Sequence, residues 1–414
     1  MINLGQINYR GKNIECKRCF NIEYFDPLTK RDIKIYNDGL CSLCKQDIKC
    51  KPGFLSLKRQ VQDELPKLFE KIKREKHEYD AIVWLSGGKD SSAALILAKE
   101  KYKLNILAFT IDRGNQFKQT KENIDNLTNK LGIDHVNFKT PNKIFKDLFK
   151  FGISTMSTFG ICCKVCGSLM HRPITSKILL KYDFGSVITG VDIWEIYGAY
   201  LDQKWREDKN KIKQNFNQFY QYLPQFNHLV HDYDFFINDI LSQLRIFSKD
   251  DAHYENLKNE FLQIIEPIKR WWLNKTEIQK FNEINEKIKY IPLPAVEIST
   301  KKELMKLLKQ YTWKIPKLLP SGQIIGTDCQ VANLVNGITS DIAKIKFSSY
   351  KVISGSETKQ EMLDEINKPI NIQILKKIMK NFGIKKLENR LKHGWQNPKY
   401  KELYNLDIIN ELNQ

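Results

Sequence analysis

"YDAIVWLSGGKDSSAALILAKEK", residues Tyr79 to Lys101, decides the fold. An apolar run of strand type, "DAIVWLS", stops at Ser86-Gly87-Gly88-Lys89-Asp90-Ser91-Ser92, and a helical pattern, "SSAALILAKEKYK", begins at once. A glycine turn leading from a buried strand into a helix builds an anion site. The glycines let the backbone turn and bring its N–H groups close to phosphate oxygens. The helix N-terminus adds partial positive charge and the serine hydroxyls add donors. Lys89 can neutralise phosphate charge, and Asp90 can help hold a Mg²⁺ ion that bridges phosphates. Neither the Gly-x4-Gly-Lys-Ser/Thr spacing nor Gly-x-Gly-x-x-Gly is present, so two common nucleotide loops are excluded.

Outward from this loop, "LNILAFTID", "HVNFKT" and "SVITGVD" read as further strands. Helical patterns, "QTKENIDNLTNKLG", "NKIFKDLFKFG" and "SLMHRPITSKILLKYD", alternate with them. Such alternation predicts an α/β fold, right-handed βαβ units around a parallel sheet. Upstream, "LSLKRQVQDELPKLFEKIKREKHEYD" reads as a helix that Pro66 is expected to interrupt. From about 200 to 290 the chain turns charged and aromatic-dotted, which reads as a helical insertion whose rings pack rather than stack on bases. "IPLPAVEISTKKELMKLLKQY" resumes a strand and helix before a helical tail. The expected organisation is residues 1–55, a cysteine-rich knuckle; 56–200, the α/β domain; 201–290, the insertion; and 291–414, completion of the α/β domain with a C-terminal helical extension.

At 414 residues and 42% hydrophobic, the chain can bury a large core. No apolar run approaches the roughly 18 residues of a membrane span, and "MINLGQINYRGKNIECKRC" has no signal-type segment. A cytoplasmic protein without a membrane partner is the expectation. The net charge of +19 admits a nucleic-acid partner. Most of it is scattered lysine, however, and arginine, the better phosphate and base reader, is scarce.

Cys16-x-x-Cys19 and Cys41-x-x-Cys44 have the spacing of two knuckles that offer four thiolates to one zinc ion. Four thiolates leave no open position, so this metal should stabilise the fold rather than do chemistry. Cys50 is one sulfur too many. Cys162, Cys163 and Cys166 form a second group and Cys329 stands alone; cluster ligands, a second zinc site and inert thiols all remain open for them.

"SGGKDSS" resembles the pyrophosphate loop of the N-type ATP pyrophosphatases, the PP-loop superfamily, which cleave ATP between the α and β phosphates and adenylate a carbonyl oxygen. A nitrogen or sulfur nucleophile then displaces AMP. The resemblance implies that Ser86, Gly87, Gly88, Lys89, Asp90, Ser91 and Ser92 hold pyrophosphate and magnesium. It places adenine near Phe109, Thr110, Ile111 and Asp112, and Thr189, Gly190 and Asp192 along the nucleotide.

"CKRC…IKIYNDGLCSLC", "GICCKVCGSLMHRPITSKILLKYDFGSVITGVDIWEIYG" and "TWKIPKLLPSGQIIGTDCQ" are similar to segments of the N-acetyl sugar amidotransferases. That family would imply an ATP-dependent amidotransferase acting on a nucleotide-linked N-acetyl sugar, with ammonia from a separate glutaminase subunit and the product destined for surface polysaccharide or glycan synthesis. The sequence departs from the family at Val191-Asp192, where a Glu-Asn pair is usual, and in its insertion. The rival branch is sulfur insertion into tRNA. There a comparable knuckle accompanies three cysteines that hold a [4Fe–4S] cluster, here Cys163, Cys166 and Cys329. Glu195 is a candidate base for an incoming amine. His135 reads as structural. Arg172, next to His171, reads equally as a phosphate contact or a surface residue.

Overall fold

The protein's computed structural model describes residues 15–26, 31–156, 166–206, 233–248, 250–317, 328–339, 341–387 and 405–414. Two short strands, β1 (Tyr24–Asp26) and β2 (Arg31–Ile33), pair antiparallel within the cysteine-rich segment. Helix α1 (Ser42–Glu75) follows, capped by the Cys41 sulfur, which accepts from the Cys44 N–H.

α1 starts earlier than its sequence suggests and is not interrupted at Pro66. Pro52 and Pro66 both lie inside its 34 residues. Both prolines are exposed, so the carbonyls they leave unpaired face solvent. Meanwhile Phe54, Leu57, Val61, Leu65, Phe69 and Ile72 recur at three- and four-residue spacing on the buried face. At roughly 1.5–3 kcal/mol for each fully buried side chain of this size, that stripe outweighs about 3 kcal/mol per proline. The helix therefore runs straight across the expected 55/56 boundary.

The main sheet has five parallel strands in the order β5-β4-β3-β6-β7: β3 (Tyr79–Trp84), β4 (Ile106–Asp112), β5 (Asp134–Lys139), β6 (Phe184–Ile188) and β7 (Tyr290–Ile291). Every residue of β4 is buried, as a strand covered on both faces requires. Val83 of β3 aligns with Ala108 of β4 on one side and Ile188 of β6 on the other. Helices α2 (Lys89–Ile96), α3 (Lys118–Leu131), α4 (Asn142–Met156), α5 (Arg172–Lys181) and α6 (Ile193–Arg206) supply the crossovers. A π-helical turn, Leu97–Lys101, extends α2. The α/β alternation read from sequence is thus the observed architecture.

The insertion is helical where described: Tyr233–Phe247, Asp251–Ile265 and Lys275–Asn285. Its rings Phe236, Phe261 and Trp272 join Phe145 and Phe149 of α4 and Leu334, Leu375 and Ile378 of the C-terminal helices in a second core. These described rings pack, as expected, whereas Phe235 is exposed, and the aromatics of 207–232 lie outside the described residues. The first core runs without a break from the knuckle cysteines through α1 to the sheet.

The connection from β3 runs to β4 on one side and that from β6 to β7 on the other, so the strand order reverses between β3 and β6, the point at which sheets of this kind form a crevice at their C-terminal ends. The loop 86–92 occupies that point.

Candidate functional site: the glycine loop and its thiol border

The loop is held in shape from several directions. Gly87 has φ +81°, a left-handed conformation that side chains resist, and a Cβ there would lie 2.6 Å from the Thr120 carbonyl oxygen. The Trp313 indole donates to the Gly87 carbonyl at 3.1 Å. Gln116 Nε2 donates to the Ser86 carbonyl at 3.0 Å. Within the turn, the Ser86 N–H donates to Ser91 Oγ at 3.1 Å and the Gly88 N–H to Ser86 Oγ at 3.3 Å. From the end of β6, Gly190 presses on the loop: a Cβ on it would sit 2.4 Å from Ser91 N and Cα.

Lys89 lies among carboxylates. Its Nζ is 2.6 Å from Asp90 Oδ1 and 3.5 Å from Asp192 Oδ2. Burial opposes its charge, but Asp90 and Asp192 outweigh that and hold the ammonium above its usual range. Burial pushes Asp90 up to about 6 against the pull of Lys89, with Asp192 adding to the rise. Glu195, in the first turn of α6, accepts from the Asp192 N–H at 3.0 Å. Desolvation in the crevice, opposed by that N–H, and the charges of Asp90 and Asp192 push it up to about 7. Glu195 as a residue is solvent-exposed. Asp328 arrives from the C-terminal part, its Cγ 3.3 Å from the place a Gly88 Cβ would occupy.

Two buried hydroxyls, Ser92 Oγ in α2 and Thr189 Oγ1 after β6, have no hydrogen-bond partner among the described residues. With the N-terminus of α2 and Lys89, they make a donor set suited to a ligand rich in acceptor oxygens. Asp90 and Asp192, the carboxylates beside Lys89, could hold such a ligand's counter-ion. Thr110 and Asp112 are placed differently. The Thr110 hydroxyl donates to the Leu85 carbonyl at 2.6 Å and meets His135 Nε2 at 2.9 Å. Asp112 accepts from the Gly114 N–H at 2.9 Å and pairs with Lys121 at 2.7 Å. Arg172 turns away, its guanidinium 5.0 Å over the Phe236 ring of the insertion.

A thiol border adjoins the loop. Just after β4, Arg113 contacts both the Cys166 sulfur and His171 Nε2. The His171 ring lies 4.1 Å from that of Trp84, at the end of β3. Burial and Arg113 together push His171 well below its ordinary value, so the imidazole is neutral. Asn115 Nδ2 donates to Cys329 Sγ at 3.0 Å, and Cys329 caps the helix Gln330–Ile338 by accepting from the Ala332 N–H. Burial pushes Cys166 up, and Cys329 up to about 11, against the opposing pull of Arg113. Cys162 and Cys163 lie outside the described residues. The segment "DRGNQF" joins loop and thiols, because Gln330 Nε2 also donates to the Gln116 carbonyl at 3.0 Å. Trp313 and the Asp328-Cys329 pair belong to the "TWKIPKLLPSGQIIGTDCQ" stretch noted in the sequence, and the structure brings Asp328 back over the loop. Arg113, Asn115 and Gln116 were not singled out, and a cluster of polar residues right after a buried strand was their one available signal.

Cys16, Cys19, Cys41 and Cys44 are buried, with all four sulfurs within 4.8 Å of one another. Among the described residues no other group of His, Cys, Asp or Glu converges this way. Cys16 Sγ is 3.7 Å from Cys44 Sγ, and Cys19 Sγ is 3.6 Å from Cys41 Sγ. A tetrahedral ion with bonds of about 2.3 Å sets its sulfurs about 3.8 Å apart, so the four fit a single metal ion. Cys50 is not part of the group.

Residues 80–295 match the sequence model of the phosphoadenosine phosphosulfate reductase domain. An uncharacterised protein of Methanocaldococcus jannaschii is 33% identical over 168 residues, which are 40% of this chain and 56% of that relative. The chain thus spans little more than half of that relative's length. Among solved structures, an NH3-dependent NAD synthetase from Campylobacter jejuni aligns at 18% identity and TM-score 0.26, over 50% of this chain and 94% of that one. A U34-tRNA thiolase from Methanococcus maripaludis, solved with its [4Fe–4S] cluster, aligns at 14% identity and TM-score 0.26, over 67% and 90%.

Proposed function

From the premise that this chain belongs to the phosphoadenosine phosphosulfate reductase domain family, within the ATP-utilising PP-loop superfamily, we propose that it splits ATP into AMP and pyrophosphate and loads AMP onto an oxygen of its acceptor. The carrying observation is the pair of unpartnered buried hydroxyls, Ser92 and Thr189, set around a positive-φ glycine turn at a helix N-terminus. In this reading Ser86–Ser92 grips the outer phosphates, Lys89 neutralises charge as the α–β bond breaks, and Gly190 lets the nucleotide side close on the loop. Magnesium, held by Asp90 and Asp192, would supply Lewis-acid assistance to the phosphates. The knuckle ion is zinc, and with four thiolates it is structural.

Two transfers can follow. In the first, ammonia from a glutaminase subunit displaces AMP from the acetamido group of a nucleotide-linked sugar, with Glu195 as base. That reading rests on the sequence resemblance and on the raised Glu195 carboxyl beside Asp90 and Asp192. In the second, sulfur displaces AMP from a tRNA base. The placement of Cys166 and Cys329 around Arg113 and Asn115, with Asp328 against the loop, favours sulfur over nitrogen. With Cys163 these thiols would hold a [4Fe–4S] cluster, which supplies the sulfur-binding iron. Anaerobic purification with metal analysis separates the two: about one zinc and no iron supports nitrogen transfer, whereas about four additional irons with labile sulfide support sulfur transfer. Release of ADP and orthophosphate instead of AMP and pyrophosphate would overturn both.

A further inference from the structure

Tyr197 lies in α6, the helix whose N-terminal end carries Asp192 and Glu195. It is 1% exposed, with its ring 4.6 Å from that of Phe54 in α1. Its hydroxyl donates to Asp47, which is fully buried near the start of α1. The other partner of Asp47 is Arg18, which stands between Cys16 and Cys19 and also donates to the Cys44 carbonyl at 3.5 Å. Three side chains therefore join the four-sulfur knuckle to the acidic side of the glycine-loop crevice without a gap.

A second connection runs parallel to the first. Ser349 Oγ, in the helix Asp341–Ser354, donates to the Cys19 carbonyl at 3.2 Å. The next residue, Tyr350, packs on Gly198 of α6, its ring 3.4 Å from where a Cβ would be. Both connections start on backbone or side chains that the thiolates fix, and both end on the first turns of α6.

We infer that metal in the knuckle positions Asp192 and Glu195 for the nucleotide, with Arg18 and Tyr197 as the positioning residues; this rests on the ATP reading above. The cause is electrostatic. A buried carboxylate such as Asp47 costs several kcal/mol unless paired, so it draws Arg18 and Tyr197 together. An ion shared by the four thiolates would fix Cys16 and Cys19 against Cys41 and Cys44 and so hold Arg18, which lies between the first two, in reach of Asp47. Without the ion, the Cys16–Cys44 and Cys19–Cys41 pairs, at 3.7 and 3.6 Å, lose the ligand bonds that join them, and the hold on the segment bearing Arg18 weakens. The Tyr197 hydroxyl adds nothing to the ring packing against Phe54, so Phe at this position keeps the volume and removes the link.

The test uses the full metal-loaded chain and an α,β-methylene analogue of ATP with magnesium, titrated by calorimetry. Tyr197→Phe and Arg18→Gln should each keep one knuckle ion and bind the analogue about tenfold more weakly than wild type, within the usual range of coupling energies. Coupling is reciprocal, so the analogue should also tighten the wild-type knuckle's hold on its metal against a chelator by about tenfold. In Tyr197→Phe that tightening should be lost, which a merely structural role would not bring about. Metal-loaded variants that bind the analogue as wild type does, or a metal affinity indifferent to the analogue, overturn the inference alone. A wild-type chain that binds no analogue overturns the ATP reading and takes the inference with it. Arg18→Gln, altering a side chain one-third exposed, serves if Tyr197→Phe fails to fold.

Discussion

Trp313 and Gly87 are 226 residues apart in sequence, yet the indole N–H of one meets the carbonyl oxygen of the other at 3.1 Å. This bond fixes which way the Gly87 peptide points. With its carbonyl held by Trp313 and its φ at +81°, the turn is set in the conformation that leads into α2. Trp313→Phe removes the donor and leaves a carbonyl with no partner in a buried setting. A stability loss of about 1–3 kcal/mol is expected, together with weaker binding of ATP. Urea unfolding and titration with the analogue check the two effects separately, and loss of stability without loss of binding would mean that the loop holds its shape unaided.

Gly190→Ala tests the closure from the opposite side. The new methyl group would meet Ser91 N and Cα at 2.4 Å and the Asp90 carbonyl carbon at 2.7 Å, all of them backbone. Backbone at a strand-to-helix turn cannot swing aside as a side chain can, so the loop must shift. Overpacking of this kind costs about 1–3 kcal/mol. The melting temperature should fall and pyrophosphate release should fall further. A variant with unchanged melting and turnover would show that the loop tolerates displacement.

The parts of the site legible in sequence are those whose signal is local. Strand, glycine turn and helix follow one another within Tyr79–Lys101, and the knuckle is written in two Cys-x-x-Cys pairs. What was not legible depends on long-range contacts. Gln116 holds the Ser86 carbonyl from just after β4, and no periodicity signals that contact; Trp313 and Asp328 were marked only as part of a family-like stretch, which does not say that the indole would hold the Gly87 carbonyl. Pro66 misleads in the other direction: its local effect is real, but burial of one face of α1 decides the outcome. Thr110 and Asp112 show a third limit, since resemblance places a residue near a ligand without saying what its side chain is already bonded to.

Lys89→Ala should reduce pyrophosphate release by about 10²–10³, the usual loss when one charge-stabilising group is removed from a reacting centre. Its Nζ is the cation that Asp90 and Asp192 share. The knuckle lies elsewhere in the fold, so metal content should not change. Retained turnover in this variant would remove Lys89 from the mechanism.

The pH dependence follows from Glu195 and Asp90, both raised, to about 7 and about 6. An acid raised in the folded state contributes stability below its unfolded value of 4.5, for Glu195, or 3.8, for Asp90, and loses it as pH rises through the folded value. The ligand-free chain should therefore become less stable between about pH 4 and pH 7. If Glu195 acts as a base, turnover should rise over the upper part of that range. Glu195→Gln should flatten the turnover profile and remove its share of the stability slope, as read by melting temperature against pH. A rise in turnover that survives the substitution assigns the base elsewhere.

Cys329→Ser separates the two transfers without disturbing the fold. Cys329 caps the helix Gln330–Ile338 through its sulfur, and serine is a strong residue for that position. The helix should keep its cap, and stability should stay within about 0.5 kcal/mol. The Asn115 side chain, which now donates to the sulfur at 3.0 Å, can donate equally to a hydroxyl. Thiolate chemistry is what the substitution takes away. If sulfur is the nucleophile, the purified variant should lose iron, labile sulfide and transfer to its acceptor together. If nitrogen is the nucleophile, acceptor turnover with ammonia should match wild type. That contrast turns on one atom at the border of the glycine loop, and it is read by acceptor product at constant pyrophosphate release, with unfolding as the control.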